Sequence, residues 1–192
     1  MTDILAEKNA GGFDAVFIAI GVNIGKKTTI PARDAGKILD AVSFLKEVEL
    51  GARPQIGRRV AIYGGGNTAM DAARTAKRLG AEEALIIYRR DREHIPAHDF
   101  EADEALSEGI KIHWLRTIKN LESTSVTVEK MDIVDGKPVP IGEFETLEAD
   151  SLILALGQDT ETDFLKGFAS AEFGGRERIF SANSLQFGFA KE

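Results

Sequence analysis

An α/β fold built on a parallel βαβ core follows from three features of this 192-residue sequence. Short apolar runs of strand length alternate with stretches of helical spacing between residues 14 and 115. A glycine-rich turn, GGGN, joins one such strand to one such helix. A segment of two-residue period then interrupts the alternation from residue 118.

The elements are expected in this order. DAVFIAIG at 14–21 is a buried-type strand closed by Gly21. Residues 34–50 carry Ile38, Leu39, Val42, Leu45 and Val48 at helical spacing, with Gly51 beyond. Residues 53–57 form a linker around Pro54. A strand at 59–63 leads into a helix at 67–79 with Gly80 past its C-terminus, and 84–88 is a second strand. Pro96 opens a helix to Ser107 that stops at Gly109, and 110–115 is a third strand. Residues 116–149 alternate apolar and polar and turn at Asp135-Gly136, which spells a β-meander. SLILAL at 151–156 is again a buried-type strand. FDAVFIAIG at 13–21 and ADSLILALG at 149–157 echo one another on either side of the glycine turn. The polar, glycine-rich tail from Gln158 carries no assignment.

Composition narrows the function. Hydrophobic content of 43% and charged content of 29% describe an ordinary globular protein. A formal charge of −7 argues against a nucleic-acid partner, which needs a basic surface. Without cysteine the chain itself forms no disulfide, thiolate zinc site or cysteine-ligated iron–sulfur cluster. Its apolar runs are too short to span a membrane, and MTDILAEKNAGG lacks the features of a signal peptide, so the cytoplasm is expected.

The strand–glycine turn–helix–strand order at 59–88 is that of a dinucleotide-binding, Rossmann-like unit. Gly64 allows the tight turn, Gly66 lets backbone approach a pyrophosphate, and Ala69 holds the third, small position. Gly65 lies between them. Ala69, Ala72, Ala73 and Ala76 share a helical face that packs on the sheet, while Arg74, Lys77 and Arg78 fall on the solvated side. The N–H groups from Gly66 to Thr68 face the diphosphate, Asn67 is the expected N-cap, and Asp71 is read as a first-turn charge.

The second strand decides which dinucleotide. An NAD site commonly ends this strand in an acid that binds the ribose hydroxyls; ALIIY ends instead in Arg89, Arg90, Asp91, Arg92. Guanidinium groups attract a 2′-phosphate and pair with it bidentately, so NADP(H) is expected, with Arg89 or Arg90 at the ribose and Arg92 assisting. FAD gains nothing specific from these arginines.

The run GGGNTAMDAARTAKRLGAEEALIIYRRDRE…IPA resembles the small (β) subunit of glutamate synthase and its relatives, including the flavin–NADPH half of dihydropyrimidine dehydrogenase. The resemblance extends from about Phe13 to Thr160 and takes in FDAVFIAIG, AVSFL and ALGQDT. It implies an NADPH domain inserted into an FAD domain, with hydride passing from NADPH to the flavin. It places the pyrophosphate at Gly64–Ala69, the 2′-phosphate at Arg89, Arg90 and Arg92, and the nicotinamide near Ala155, Gly157 and Gln158. The two echoing strands would mark the crossings between domains. Several family features are missing from the sequence: the FAD glycine loop, the cluster cysteines and a C-terminal Gly-Asp, and Ile20 stands for a threonine. The expected organisation is therefore an FAD-domain stub and connecting helix at 1–52, the NAD(P)H-binding domain at 53–157 with the meander at 116–149, and a return stub toward the FAD domain at 158–192, inactive alone and without bound FAD. A larger catalytic subunit or an iron–sulfur protein is the implied partner.

Other chemistry finds less support. His94 and His98 are four apart, but Pro96 separates them and no third metal ligand is evident. His113 and Trp114 read as one surface and one core position. The acidic stretch 99–108 reads as a solvated face. Hydride exchange between nicotinamide and flavin is chemistry of the cofactors, so no catalytic side chain is named. A non-catalytic NAD(P)-sensing module and an unliganded interaction domain would use the same scaffold.

Overall fold

The computed structural model describes residues 10–12, 24–26, 28, 30–31, 37–159, 172–174 and 178–180. They fall in two units: 25–158, and the two ends of the chain, 1–24 with 159–192. The strand expected at 14–21, Ile20 and most of the tail lie outside the described residues.

Along the chain the first strands are β1 (Ile24–Gly25), β2 (Lys37–Asp40) and, after helix α1 (Ala41–Glu49), β3 (Arg59–Tyr63). Helix α2 (Asn67–Arg78), β4 (Glu83–Ile87), helix α3 (Asp99–Ser107) and β5 (Lys111–His113) follow. Then come β6 (Arg116–Leu121), β7 (Ser125–Val134), β8 (Lys137–Glu148), β9 (Ser151–Leu154) and β10 (Gln158–Asp159). A separate antiparallel pair, β11 (Glu172–Gly174) with β12 (Arg178–Phe180), belongs to the second unit.

The larger unit is a five-stranded parallel sheet of order β2-β9-β3-β4-β5. Its strands are apolar at every central position because both faces are covered. Alternation sends Val60, Ile62, Ile86 and Ile153 to a core shared with the helices, including Phe44, Met70 and the α2 alanines. It sends Ala61, Leu85, Ile87, Leu152 and Leu154 to a second core shared with Ile118, Leu121, Val126 and Val128 of the antiparallel sheet β6-β7-β8. The result is three layers: helices, parallel sheet and meander. The β7–β8 turn has positive φ at both Asp135 and Gly136, as a two-residue hairpin turn requires.

The structure revises several expectations. The helix read over 34–50 starts only at Ala41. Asp40 caps it by accepting from the Ser43 N–H at 2.8 Å and its hydroxyl at 2.9 Å, and residues 37–40 pair in parallel with β9 instead. β2 and α1, from the region expected as flavin-domain stub and connecting helix, lie within the 25–158 unit. Ala69, Ala72, Ala73 and Ala76 are fully buried as expected, but Arg74 on the flank is only partly exposed. It bridges α2 to α3 through Glu104 at 2.9 Å and Glu108 at 2.6 Å. The acidic stretch is largely exposed, as expected, and its carboxylates meet arginines there, Asp103 also taking Arg92. Asp71 is exposed and lies past the first turn of α2. Trp114 is not core: it and His113 are both half-buried, and its ring meets Tyr88 edge-on at 6.3 Å.

One carboxylate fixes the register where β3 and β9 begin. Asp150 accepts from the backbone N–H groups of Arg58 at 3.0 Å and Arg59 at 2.8 Å, and Gly57, with positive φ, leaves no room for a side chain beside it. Burial alone would push this carboxyl up, yet the two N–H donors and the Arg59 guanidinium hold it below the usual carboxylate range. A depressed folded value stabilises the protein above the unfolded carboxylate range and is lost as pH falls through the folded one. Asp150→Ala is therefore expected to cost about 2 kcal/mol at neutral pH. In urea titrations the gap from wild type should close as pH falls through the depressed range of the folded carboxyl; a gap that persists once that carboxyl is protonated would assign the loss to packing instead.

Candidate functional site

Strand β9 is formed late in the chain yet lies beside β3, opposite β4. Connections leave β3 toward one side and return on the other, so a crevice opens at the carboxyl ends of β3 and β9. The chain crosses it as Gly64-Gly65-Gly66, and the three glycines answer to different constraints.

Gly64 has φ +152°, and a Cβ there would lie 2.1 Å from the carbonyl oxygen of Ala155. Its N–H donates to Ile87 at 3.1 Å, while the Ala155 N–H donates to Tyr63 at 2.8 Å. A Cβ on Gly65 would lie 2.5 Å from the Tyr88 ring. Gly66 differs: its φ of −90° and ψ of 175° suit any residue, and a Cβ would meet no atom within 4 Å. No packing demand of the protein explains a glycine there.

Gly66, not Asn67, is the N-cap of α2, and it brings no side-chain cap. Asn67 is drawn off by accepting the His98 N–H at 3.2 Å. The N–H groups of Ala69 and Met70 return to the Gly66 carbonyl, so the helix ladder begins only after Thr68. The turn is braced from α3's side, where the Ala97 N–H donates to Gly65 at 3.1 Å. This is why Pro96 opens no helix: the Ala97 N–H is given to Gly65, His98 is extended, and α3 starts after it.

A cavity of about 690 Å³ lies against this turn, lined by Gly64, Gly65, Gly66 and Thr68, by Arg89 and Arg90, and by Ala155 and Gly157. Of the other residues expected at the site, Ala69 is fully buried under the helix and Arg92 is paired with Asp103. Gln158 reaches the turn indirectly, donating from Nε2 to Thr68 Oγ1 at 3.2 Å. Sequence reasoning missed Lys26, Thr28, Tyr63, Tyr88 and His94 on the cavity wall. Lys26 and Thr28 sit in a polar segment without periodicity, next to the pairing of β1 with β10, where the Lys26 N–H donates to Gly157 at 3.0 Å.

The arginine-bearing tip of β4 is held by backbone. Tyr88 N–H donates to His113, Arg116 N–H to Tyr88 and Leu115 N–H to Arg90, at 2.9 to 3.0 Å. Leu115, at φ +53°, turns the chain from β5 into the meander at this point, which is why the expected third strand ends at His113. Six other arginines are taken: Arg58, Arg59, Arg74, Arg78, Arg92 and Arg116 each stand on a carboxylate. Arg89 and Arg90 have no carboxylate partner among the described residues, and both face the cavity. Two unpaired guanidinium groups, a helix N-terminus and a glycine without a packing role fit an anionic ligand with phosphates at both ends. Among the described residues no three His, Asp or Glu side chains group as a metal site, and no helix is long and apolar enough to cross a membrane. His94 and His98 are used separately, on Asp91 and on the Phe100 ring.

A glycine turn at the switch point of a parallel sheet defines a Rossmann-type α/β domain. The chain belongs to the pyridine nucleotide-disulphide oxidoreductase family, whose model matches residues 3–187. It is 34% identical over 85% of its length to the NADPH-Fe(3+) oxidoreductase subunit beta of Geobacter sulfurreducens, and spans 27% of that protein. It is 33% identical over 83% of its length to a putative glutamate synthase [NADPH] small chain of Cereibacter sphaeroides, covering 43% of that chain. Among solved structures, FprA of Mycobacterium tuberculosis in complex with NADPH shares the fold with a TM-score of 0.62. That match has 16% identity and covers 79% of this chain and 51% of FprA.

The contrast between two glycines is measurable. Gly64→Ala should lose on the order of 3 kcal/mol in chemical denaturation, through backbone overlap and φ strain. Gly66→Ala should stay within about 0.5 kcal/mol of wild type, because a weaker N-cap is offset by a less flexible unfolded chain. Similar losses at both positions would remove the distinction.

Proposed function

We propose that the cavity binds NADP(H), with the pyrophosphate on the Gly64–Ala69 turn and the 2′-phosphate on Arg89 and Arg90. The observation that carries this reading is the pair of arginines without a carboxylate partner on the same cavity wall as Gly66. A dinucleotide has this form: a diphosphate that a helix N-terminus favours, and a ribose phosphate a short distance away. Ala155 and Gly157 then border the nicotinamide, and Gln158 acts on the turn by way of Thr68. Arg92 has no direct part in this reading, because Asp103 holds it.

The wider role follows from the resemblance to glutamate synthase small subunits: the chain is the NADPH-binding part of a flavoprotein oxidoreductase, delivering hydride from NADPH to FAD. The nicotinamide, when bound, supplies the hydride; this chain's residues bind and orient it. A larger catalytic subunit or an iron–sulfur protein is the proposed recipient of the electrons, since the relatives are named as subunits or small chains.

Titration calorimetry with NADPH and NADH tests the binding claim. Each arginine contributes a charge-assisted hydrogen bond worth ~1.5–3 kcal/mol, so Arg89→Ala with Arg90→Ala should weaken NADPH by roughly 100-fold or more. NADH should change by less than about threefold, having no phosphate there to lose. Gly66→Ala should weaken both nucleotides alike. Equal wild-type affinity for NADH and NADPH would sink the arginine assignment, and absence of binding by either would sink the nucleotide reading.

A further inference from the structure

The cavity wall holds one more group that can carry positive charge. His94 closes the 3₁₀ turn Arg92–His94 that follows the β4 tip, and it lines the cavity with Arg89 and Arg90. It is tied down at three atoms. Its backbone N–H donates to Asp91 Oδ1 at 3.1 Å, its ring Nδ1–H donates to the same oxygen at 2.6 Å, and its carbonyl accepts the Tyr88 hydroxyl at 2.9 Å.

This geometry settles the tautomer. With Nδ1–H given to Asp91, a neutral ring presents at Nε2 only a lone pair, which repels phosphate oxygens. The imidazolium presents an N–H at Nε2 and attracts them. The Asp91 carboxylate, next to Arg90 in the chain, is turned into this ring, and the His94 hydrogen bond holds it below the usual carboxylate range. The charged groups around His94 are Arg89, Arg90, Asp91, Arg92 (itself paired with Asp103) and Glu93 on its own loop, and Lys26 lines the same cavity from the segment after β1. Tyr88 is neutral, because burial pushes its phenol up.

We propose that His94, oriented by Asp91, is a third contact to the 2′-phosphate, made from Nε2 in the imidazolium form, so that preference for NADPH over NADH strengthens as pH falls. The inference rests on the NADP(H) reading and deepens it. By linkage, a phosphate that favours the protonated ring binds together with a proton, and affinity gains the matching pH dependence. NADH lacks the phosphate and has no such term.

The test uses the whole chain and two ligand pairs. Dissociation constants for NADPH and NADH are measured at about pH 8.5 and about pH 6.5, where most of the 2′-phosphate keeps its second charge. In wild type the NADPH-to-NADH preference should rise by roughly tenfold toward pH 6.5; in His94→Gln it should stay within about twofold. His94 is exposed, so this variant leaves the core intact. Separately, the His94 ring proton is followed by NMR: 2′-AMP should raise its titration midpoint, and 5′-AMP should not. Identical pH profiles in wild type and His94→Gln, with NADPH still bound, overturn the His94 contact and leave the nucleotide reading standing. So does a midpoint that 2′-AMP and 5′-AMP move equally or not at all. Loss of all NADPH binding in wild type at both pH values overturns both.

Discussion

Between the tips of β3 and β9 there is no room for a side chain. A Cβ on Gly64 would reach the Ala155 carbonyl at 2.1 Å, and this closeness lets β9 lie directly against β3 although the meander separates them in sequence. The crevice beside the glycine turn exists because these two strands are neighbours and their connections diverge. Asp150 secures the other end of the same pair by binding two β3-side N–H groups. The site thus depends on one strand pairing, pinned at its start by a carboxylate and at its end by a missing side chain.

Charge is distributed to the same purpose. The chain carries a net −7, yet the cavity is bordered by Lys26, Arg89 and Arg90. The acids near it are engaged: Asp91 with His94, Asp103 with Arg92, and Glu104 and Glu108 with Arg74. These surface pairs add little stability one by one. Their effect is to decide which arginines remain open to a ligand, leaving a cationic pocket on an acidic protein, where the local field rather than the net charge governs anion binding.

Much of the parallel core was legible in the sequence, because strands buried on both faces read as apolar runs and α2 carries its alanines on one face. The meander was legible from its two-residue period and Asp135-Gly136. What escaped was set by contacts distant in sequence. Lys37–Asp40 looks helical because Ile38 and Leu39 happen to suit the spacing of the helix behind them; only its pairing with β9 shows it to be a strand. Asn67 looks like an N-cap until His98 claims its side chain, and the Asp103 partner of Arg92 comes from helix α3, outside the local pattern. At the site, glycines and arginines could be read off, but Lys26, Tyr88 and His94 could not, since nothing in their local spacing points toward a cavity.

The meander carries more than its topological description suggests. In doubly wound folds a second layer of helices covers the sheet's other face; here β6 and β7 do so, and their connection to β5 passes along the β4 tip. Three backbone hydrogen bonds from that passage hold Tyr88 to Arg90. Tyr88 in turn packs over Gly65 and anchors His94, so the glycine turn and the arginine loop are braced against each other. A phosphate-binding loop that must discriminate between two nucleotides gains from such bracing, because less conformational freedom remains to be lost on binding. By this reasoning the antiparallel layer is part of the proposed nucleotide site, although among the described residues it contributes no side chain to the wall of the cavity.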